Sequence, residues 1–152
     1  MYVYADNAAT TRLSAAALAA MTPYLTEVYG NPSSMHRYGQ AASQALQRAR
    51  ETVARCIGAD PKELRFTSGG SEADDQAIYT AEVVAARTGR RHIVASAIEH
   101  HAVLRALETL AERGFSVTLL PVSREGTVSL RDAERAVRGD TALVSVKLAN
   151  NE

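Results

Sequence analysis

The chain has 152 residues, 46% of them hydrophobic and 22% charged, enough for one respectable core and pointing to one domain. Its 17 Lys and Arg balance 17 Asp and Glu, so the net charge is zero and no field exists to gather nucleic acid or an acidic membrane surface. The apolar stretch Ala15 to Met21 falls short of the roughly 18 residues a bilayer crossing needs, and the lone Cys56 fits a reducing cytosol, so a cytoplasmic protein without nucleic-acid or membrane partners is expected.

In chain order, Ser14 to Thr26 reads as a helix, and the turn formers from Tyr29 to Ser34 read as a structured loop. Ala41 to Ile57 reads as a second helix that carries Ala42, Ala45, Ala49, Val53 and Cys56 on one stripe and stops at Gly58; on that stripe Cys56 packs rather than reacts. Four short apolar runs then read as buried strands: Leu64 to Thr67, His92 to Ser96, Ser116 to Pro121 and Thr141 to Leu148. Their starts recur about every 25 residues, near the length of one βαβ unit. Between them the apolar period turns helical, as at Leu104, Leu107 and Leu110 before Gly114, and Ser129 to Asp132 reads as a capping box opening a helix to about Arg138. This alternation predicts an α/β fold: a mostly parallel sheet, helices on both faces, right-handed crossovers. Residues 1–60 read as a helical segment and residues 61–152 as βαβ units of one partial domain. The apolar run before Asn150-Asn151-Glu152 has no following helix and strand to cover it, so the sheet reads as incomplete.

Two constellations suggest chemistry. Phe66-Thr67-Ser68-Gly69-Gly70-Ser71-Glu72 runs from an expected strand through two glycines into an expected helix, a place where free N–H groups and a helix dipole receive an anion. The plainer reading is that Ser71 caps its helix with Asp74 completing a capping box. The motif is neither a Walker A loop nor a dinucleotide fingerprint. Glu99-His100-His101 follows the second strand at the C-terminal edge of the sheet, where open α/β folds bind ligands. Either both histidines sit exposed at a helix start, or one imidazole stacks on a cofactor ring. Adjacent histidines point apart, and His36 and His92 stand at no zinc spacing from them, so no metal site is expected. The two lysines, Lys62 and Lys147, are not placed as buried Schiff-base amines, and the Arg87 to Arg91 cluster reads as a solvated loop.

Taken as an ordered series, Tyr4-Ala5-Asp6-Asn7-Ala8-Ala9-Thr10-Thr11, Gly30-Asn31-Pro32-Ser33-Ser34 with His36 and Gly39, Phe66 to Glu72, Glu99-His100 and Asn150-Asn151-Glu152 closely resemble the N-terminal part of cysteine desulfurases. These are class V members of the fold type I pyridoxal phosphate (PLP) enzymes. The resemblance implies the N-terminal part of the fold type I large domain, PLP as cofactor and L-cysteine as substrate. It implies a PLP phosphate held at Gly70 and Ser71, a catalytic His100 stacked on the ring and assisting proton transfers, Asn151 bonding near the phenolic oxygen, and Asn7 and Ala8 near the site entrance. Gly70 and Ser71 stand where Ala and Thr are frequent, and Asp75 where Asn is common. The family's anchoring lysine, pyridinium-pairing aspartate, substrate-binding arginine and persulfide-forming cysteine have no counterpart here, so the 152-residue chain alone is expected to be inactive and to need a complementary C-terminal fragment. The sheet order of the family, 3-2-4-5-6-7-1, would leave the first strand here without its neighbour. A homodimer and a sulfur-acceptor protein are implied as partners, with iron–sulfur clusters and tRNA thiolation both open as destinations. A selenocysteine lyase, an aminotransferase of the same class and a non-catalytic binding fragment remain the alternatives.

Overall fold

The computed structural model describes residues 2–150, which form two compact units, one ending at Phe66 and one starting at Thr67.

In the first unit, the segment at Asn7 and Ala8 is an exposed turn in which the Asp6 carbonyl accepts from the Ala9 and Thr10 N–H groups. Helix α1 (Ala15–Thr26) starts where the Ser14 side chain accepts from the Ala17 N–H; none of its residues is buried. Helix α2 (Arg37–Ile57) starts four residues before the expected Ala41, because the His36 Nδ1 accepts from the Gly39 N–H and serves as its cap. It ends at Gly58, whose φ of 69° lies in the left-handed region that glycine adopts without strain. The buried residues of α2 are Gly39, Ala42, Ala45 and Ala54, and Cys56 is exposed, contrary to its expected packing role. It lies two positions after Ala54, about half a helical turn, so it faces away.

A short 3₁₀ turn, Pro61–Glu63, carries a full capping box at Asp60 and leads into Leu64, which is extended at φ −86° and ψ 133°. The expected strand from Leu64 to Thr67 does not form. Extended backbone becomes a strand only by pairing, and the Leu64 carbonyl instead accepts from the Arg50 guanidinium at 2.6 Å. The same guanidinium lies 5.0 Å from the centre of the Phe66 ring.

The second unit alternates helix and strand: α3 (Gly70–Thr88), β1 (His92–Ser96), α4 (His101–Glu112), β2 (Ser116–Leu120), α5 (Leu130–Ala136) and β3 (Thr141–Ser145). The strands form one parallel sheet in the order β2-β1-β3, three of the seven expected for fold type I. Every residue of the central β1 is buried. On one face Ile93 and Ala95 pack with Ile78, Ala81 and Ala85 of α3 and with Val103, Ala106, Leu107 and Leu110 of α4. Helix α5, capped by Ser129 as expected, packs against β2. Strand β3 ends at Ser145 rather than Leu148, because the Lys147 N–H leaves the ladder for a side chain, described below.

Candidate functional site

The expected site residues fall at two places in the second unit. The first is the entry to α3. Gly69 is the N-cap, extended at φ 172° and ψ 177°, with no side-chain cap bond. Ser71 is therefore the second helical residue rather than the cap, and its expected capping box with Asp74 does not form. The turn is closed by Glu72 instead, whose Oε2 accepts from the Ser68 hydroxyl at 2.6 Å and the Ser68 N–H at 2.8 Å. Those bonds, with a smaller contribution from Gln76, hold the Glu72 carboxyl below its usual range.

The Gly70 and Ser71 N–H groups belong to the first turn and find no acceptor among the described residues. A Cβ built on Gly69 or Gly70 would meet nothing within 4 Å, so the space in front of the turn is open. Two unengaged donors, the Ser71 hydroxyl and the positive end of a 19-residue helix make a fitting seat for a phosphate, while the Glu72 charge is turned onto Ser68.

The second place follows β1. The Ala97 N–H donates to the Leu120 carbonyl at 2.9 Å, tying the turn to β2. Glu99, only 8% exposed, accepts at Oε1 from the Ser96 hydroxyl at 2.6 Å and from the Lys147 N–H at 2.7 Å. His100 is the exposed N-cap of α4; its Nδ1 accepts from the Ala102 N–H at 3.1 Å, so the neutral ring carries its proton on Nε2. The His101 ring lies 6.3 Å away and tilted by 59°.

A cavity of about 200 Å³ gathers His100, His101, Leu104, Lys147 and Asn150, and the Lys147 ammonium donates to Asn150 Oδ1 at 2.9 Å. A larger cleft of about 540 Å³ shares Lys147 and Asn150. His100 thus stands in a cavity at the C-terminal edge of the sheet, whereas Gly70 and Ser71 line neither of these hollows, and Asn151 lies outside the described residues. Two participants were in view in the sequence without a role: Glu99 as the first residue of the Glu99-His100-His101 run, and Lys147, whose side chain lines the cavity although its run reads as strand. Among the described residues no cluster of three or more His, Cys, Asp or Glu converges on a metal-sized space.

The profile of the aminotransferase class-V family matches residues 3–152. The chain belongs to the class-V aminotransferase family. This family member is 47% identical over 150 residues to cysteine desulfurase 2 of Trichormus variabilis, a match covering 99% of this chain and 37% of the relative. It is also 47% identical over 150 residues to the cysteine desulfurase IscS of Dictyoglomus turgidum, covering 99% of this chain and 38% of that one. Among solved structures it superposes on a NifS-like protein with a TM-score of 0.90 at 40% identity, over 100% of this chain and 42% of the other. DndA from Streptomyces lividans gives 0.84 at 43% identity, again over 100% of this chain and 42% of that one. This class-V chain therefore has the α/β architecture of those enzymes while spanning well under half the length of the relatives it matches.

Proposed function

We propose that the chain forms the PLP-binding part of a cysteine desulfurase, which converts L-cysteine to L-alanine and passes the sulfur on as a persulfide. The observation that carries this reading is the open first turn of α3, with the Gly70 and Ser71 donors unengaged, in a chain 47% identical to cysteine desulfurases. Gly70 and Ser71 bind the phosphate through backbone N–H groups. His100 would face the cofactor ring; because its Nδ1 is committed to the helix cap, Nε2 would be the atom that holds or moves a proton. Asn151 donates near the phenolic oxygen. PLP, when bound, supplies an electron sink for bonds broken at the substrate's α-carbon.

In this reading residues 1–60 and 61–152 belong to one partial domain, whose alternating helices and strands start at Gly70. The family's anchoring lysine, aspartate, arginine and persulfide cysteine have no counterpart among these 152 residues. Exposed Cys56 stands on a different helix context and does not replace that cysteine. The assembled enzyme is a cytoplasmic homodimer that hands sulfur to an acceptor protein. No described helix is long and apolar enough to cross a membrane.

Titration of the 152-residue chain with PLP, followed by absorbance and, with a dithiol present to reduce any persulfide to sulfide, by sulfide release from L-cysteine, tests the reading. It predicts saturable binding without sulfide release, and release on adding the C-terminal part of a cysteine desulfurase. Absence of binding, or sulfide release by the chain alone, overturns it.

A further inference from the structure

We propose that Glu99 is a positioning residue, locking the turn that carries His100 to the chain beyond β3 that carries Lys147 and Asn150. The proposal rests on the reading of His100 as a cofactor-facing group. A carboxylate that is 8% exposed is costly to bury unless its oxygens are satisfied. Here a single oxygen, Oε1, accepts from two sides at once: the Ser96 hydroxyl at the end of β1, at 2.6 Å, and the Lys147 N–H, 48 residues further along the chain, at 2.7 Å. Both donors are neutral, so the two bonds gain from the acceptor's charge without a counter-ion.

The position of this carboxylate explains two features of the site. Strand β3 stops at Ser145, and two residues later the N–H that would continue the ladder goes to Glu99. That diversion brings the Lys147 side chain and Asn150 into the cavity that holds His100. The turn between β1 and α4 is then fastened to all three strands: to β1 by continuity and Ser96, to β2 through the Ala97 N–H on Leu120, and beyond β3 through Glu99. His100 follows directly. With its backbone held by this clasp and its Nδ1 held by the Ala102 N–H, the direction of Nε2 is set before any ligand arrives.

The experiment is amide hydrogen exchange with histidine ring NMR on the whole 152-residue chain, for the unaltered protein, Glu99→Ala, Glu99→Gln and Ser96→Ala. In the unaltered protein the Lys147 amide is expected to be protected to a degree comparable with ladder amides such as Ala95. Glu99→Ala is expected to speed its exchange at least about tenfold, the size of a lost charge-assisted bond, and to shift the His100 ring signals while the ladder amides of Val94 and Thr118 keep their rates. Glu99→Gln keeps an oxygen acceptor and should recover most of the protection; Ser96→Ala should give an intermediate rate. Free exchange of Lys147 in the unaltered protein overturns the proposal without any variant having to fold. So does an unchanged Lys147 rate in Glu99→Ala, or an acceleration shared equally by Val94 and Thr118. Adding PLP to the unaltered protein is a separate arm: unmoved His100 signals would defeat the cofactor reading and leave the exchange result to decide the clasp.

Discussion

The Nδ1 of His92 lies 2.9 Å from the hydroxyl of Thr141, while its Nε2 lies 2.9 Å from that of Thr118, so one imidazole links all three strands of the sheet. His92 is fully buried on β1, and a buried polar ring is tolerated because both nitrogens are partnered. Burial, and then the nearby Arg138 charge, push its pKa below the usual histidine value of 6.5, with Asp140 opposing.

A pH dependence follows. As pH falls through about 6.5 the unfolded chain takes up a proton at this position and the folded chain does not, so the unfolded state binds more protons and stability drops. The contribution is complete above that pH and is lost as pH falls toward the depressed folded value. Urea midpoints are expected to decrease from pH 7.5 to pH 5.5 in the unaltered chain by more than in His92→Gln, tested by fluorescence at about those two values. Parallel profiles would contradict the assignment.

Gly39 is packed beyond the tolerance of any side chain. A Cβ there would run into the Ser34 carbonyl oxygen and would lie 2.7 Å from both the Asn31 oxygen and the Ser34 Cβ. Gly39→Ala is expected to cost about 1–3 kcal/mol in chemical denaturation. Gly69→Ala, on extended backbone with nothing within 4 Å, is expected to stay within about 0.5 kcal/mol. Equal costs at the two positions would contradict the packing account.

Proline at the first position of a helix preserves the helix and deletes one N–H. Gly70 occupies that position in α3 and follows extended Gly69, a conformation proline accepts before it. Gly70→Pro is therefore expected to weaken PLP binding about tenfold or more with circular dichroism unchanged, whereas Ser71→Ala, which keeps its N–H, should lose less. Titration of the two variants side by side checks this; unchanged affinity in Gly70→Pro would remove the backbone from the binding.

Much of the second unit was legible from local pattern. His92 to Ser96, the starts of the next two strands at Ser116 and Thr141, and the Ser129 cap stand where sequence reading places them, because apolar runs and caps are properties of short segments. Leu64 to Thr67 has the same apolar look and is no strand, since pairing belongs to two segments and not one. The α3 cap went to Gly69 rather than Ser71 for a similar reason: the helix start was set by the turn and by Glu72 reaching Ser68, four residues back. Cys56 shares the apolar spacing of α2 yet faces outward, because the small residues Gly39, Ala42, Ala45 and Ala54 define the buried face. The bond from Lys147 to Glu99 joins residues 48 apart and leaves no periodic signature.

The most direct test of the phosphate seat is an amide chemical-shift map of the labelled chain with PLP and, in parallel, with pyridoxal, which has the same ring and no phosphate. The account predicts that PLP moves the Gly70 and Ser71 amides and the His100 ring together, and that pyridoxal leaves Gly70 and Ser71 in place. Equal shifts from both compounds, or PLP shifts that bypass Gly70 and Ser71, would contradict it.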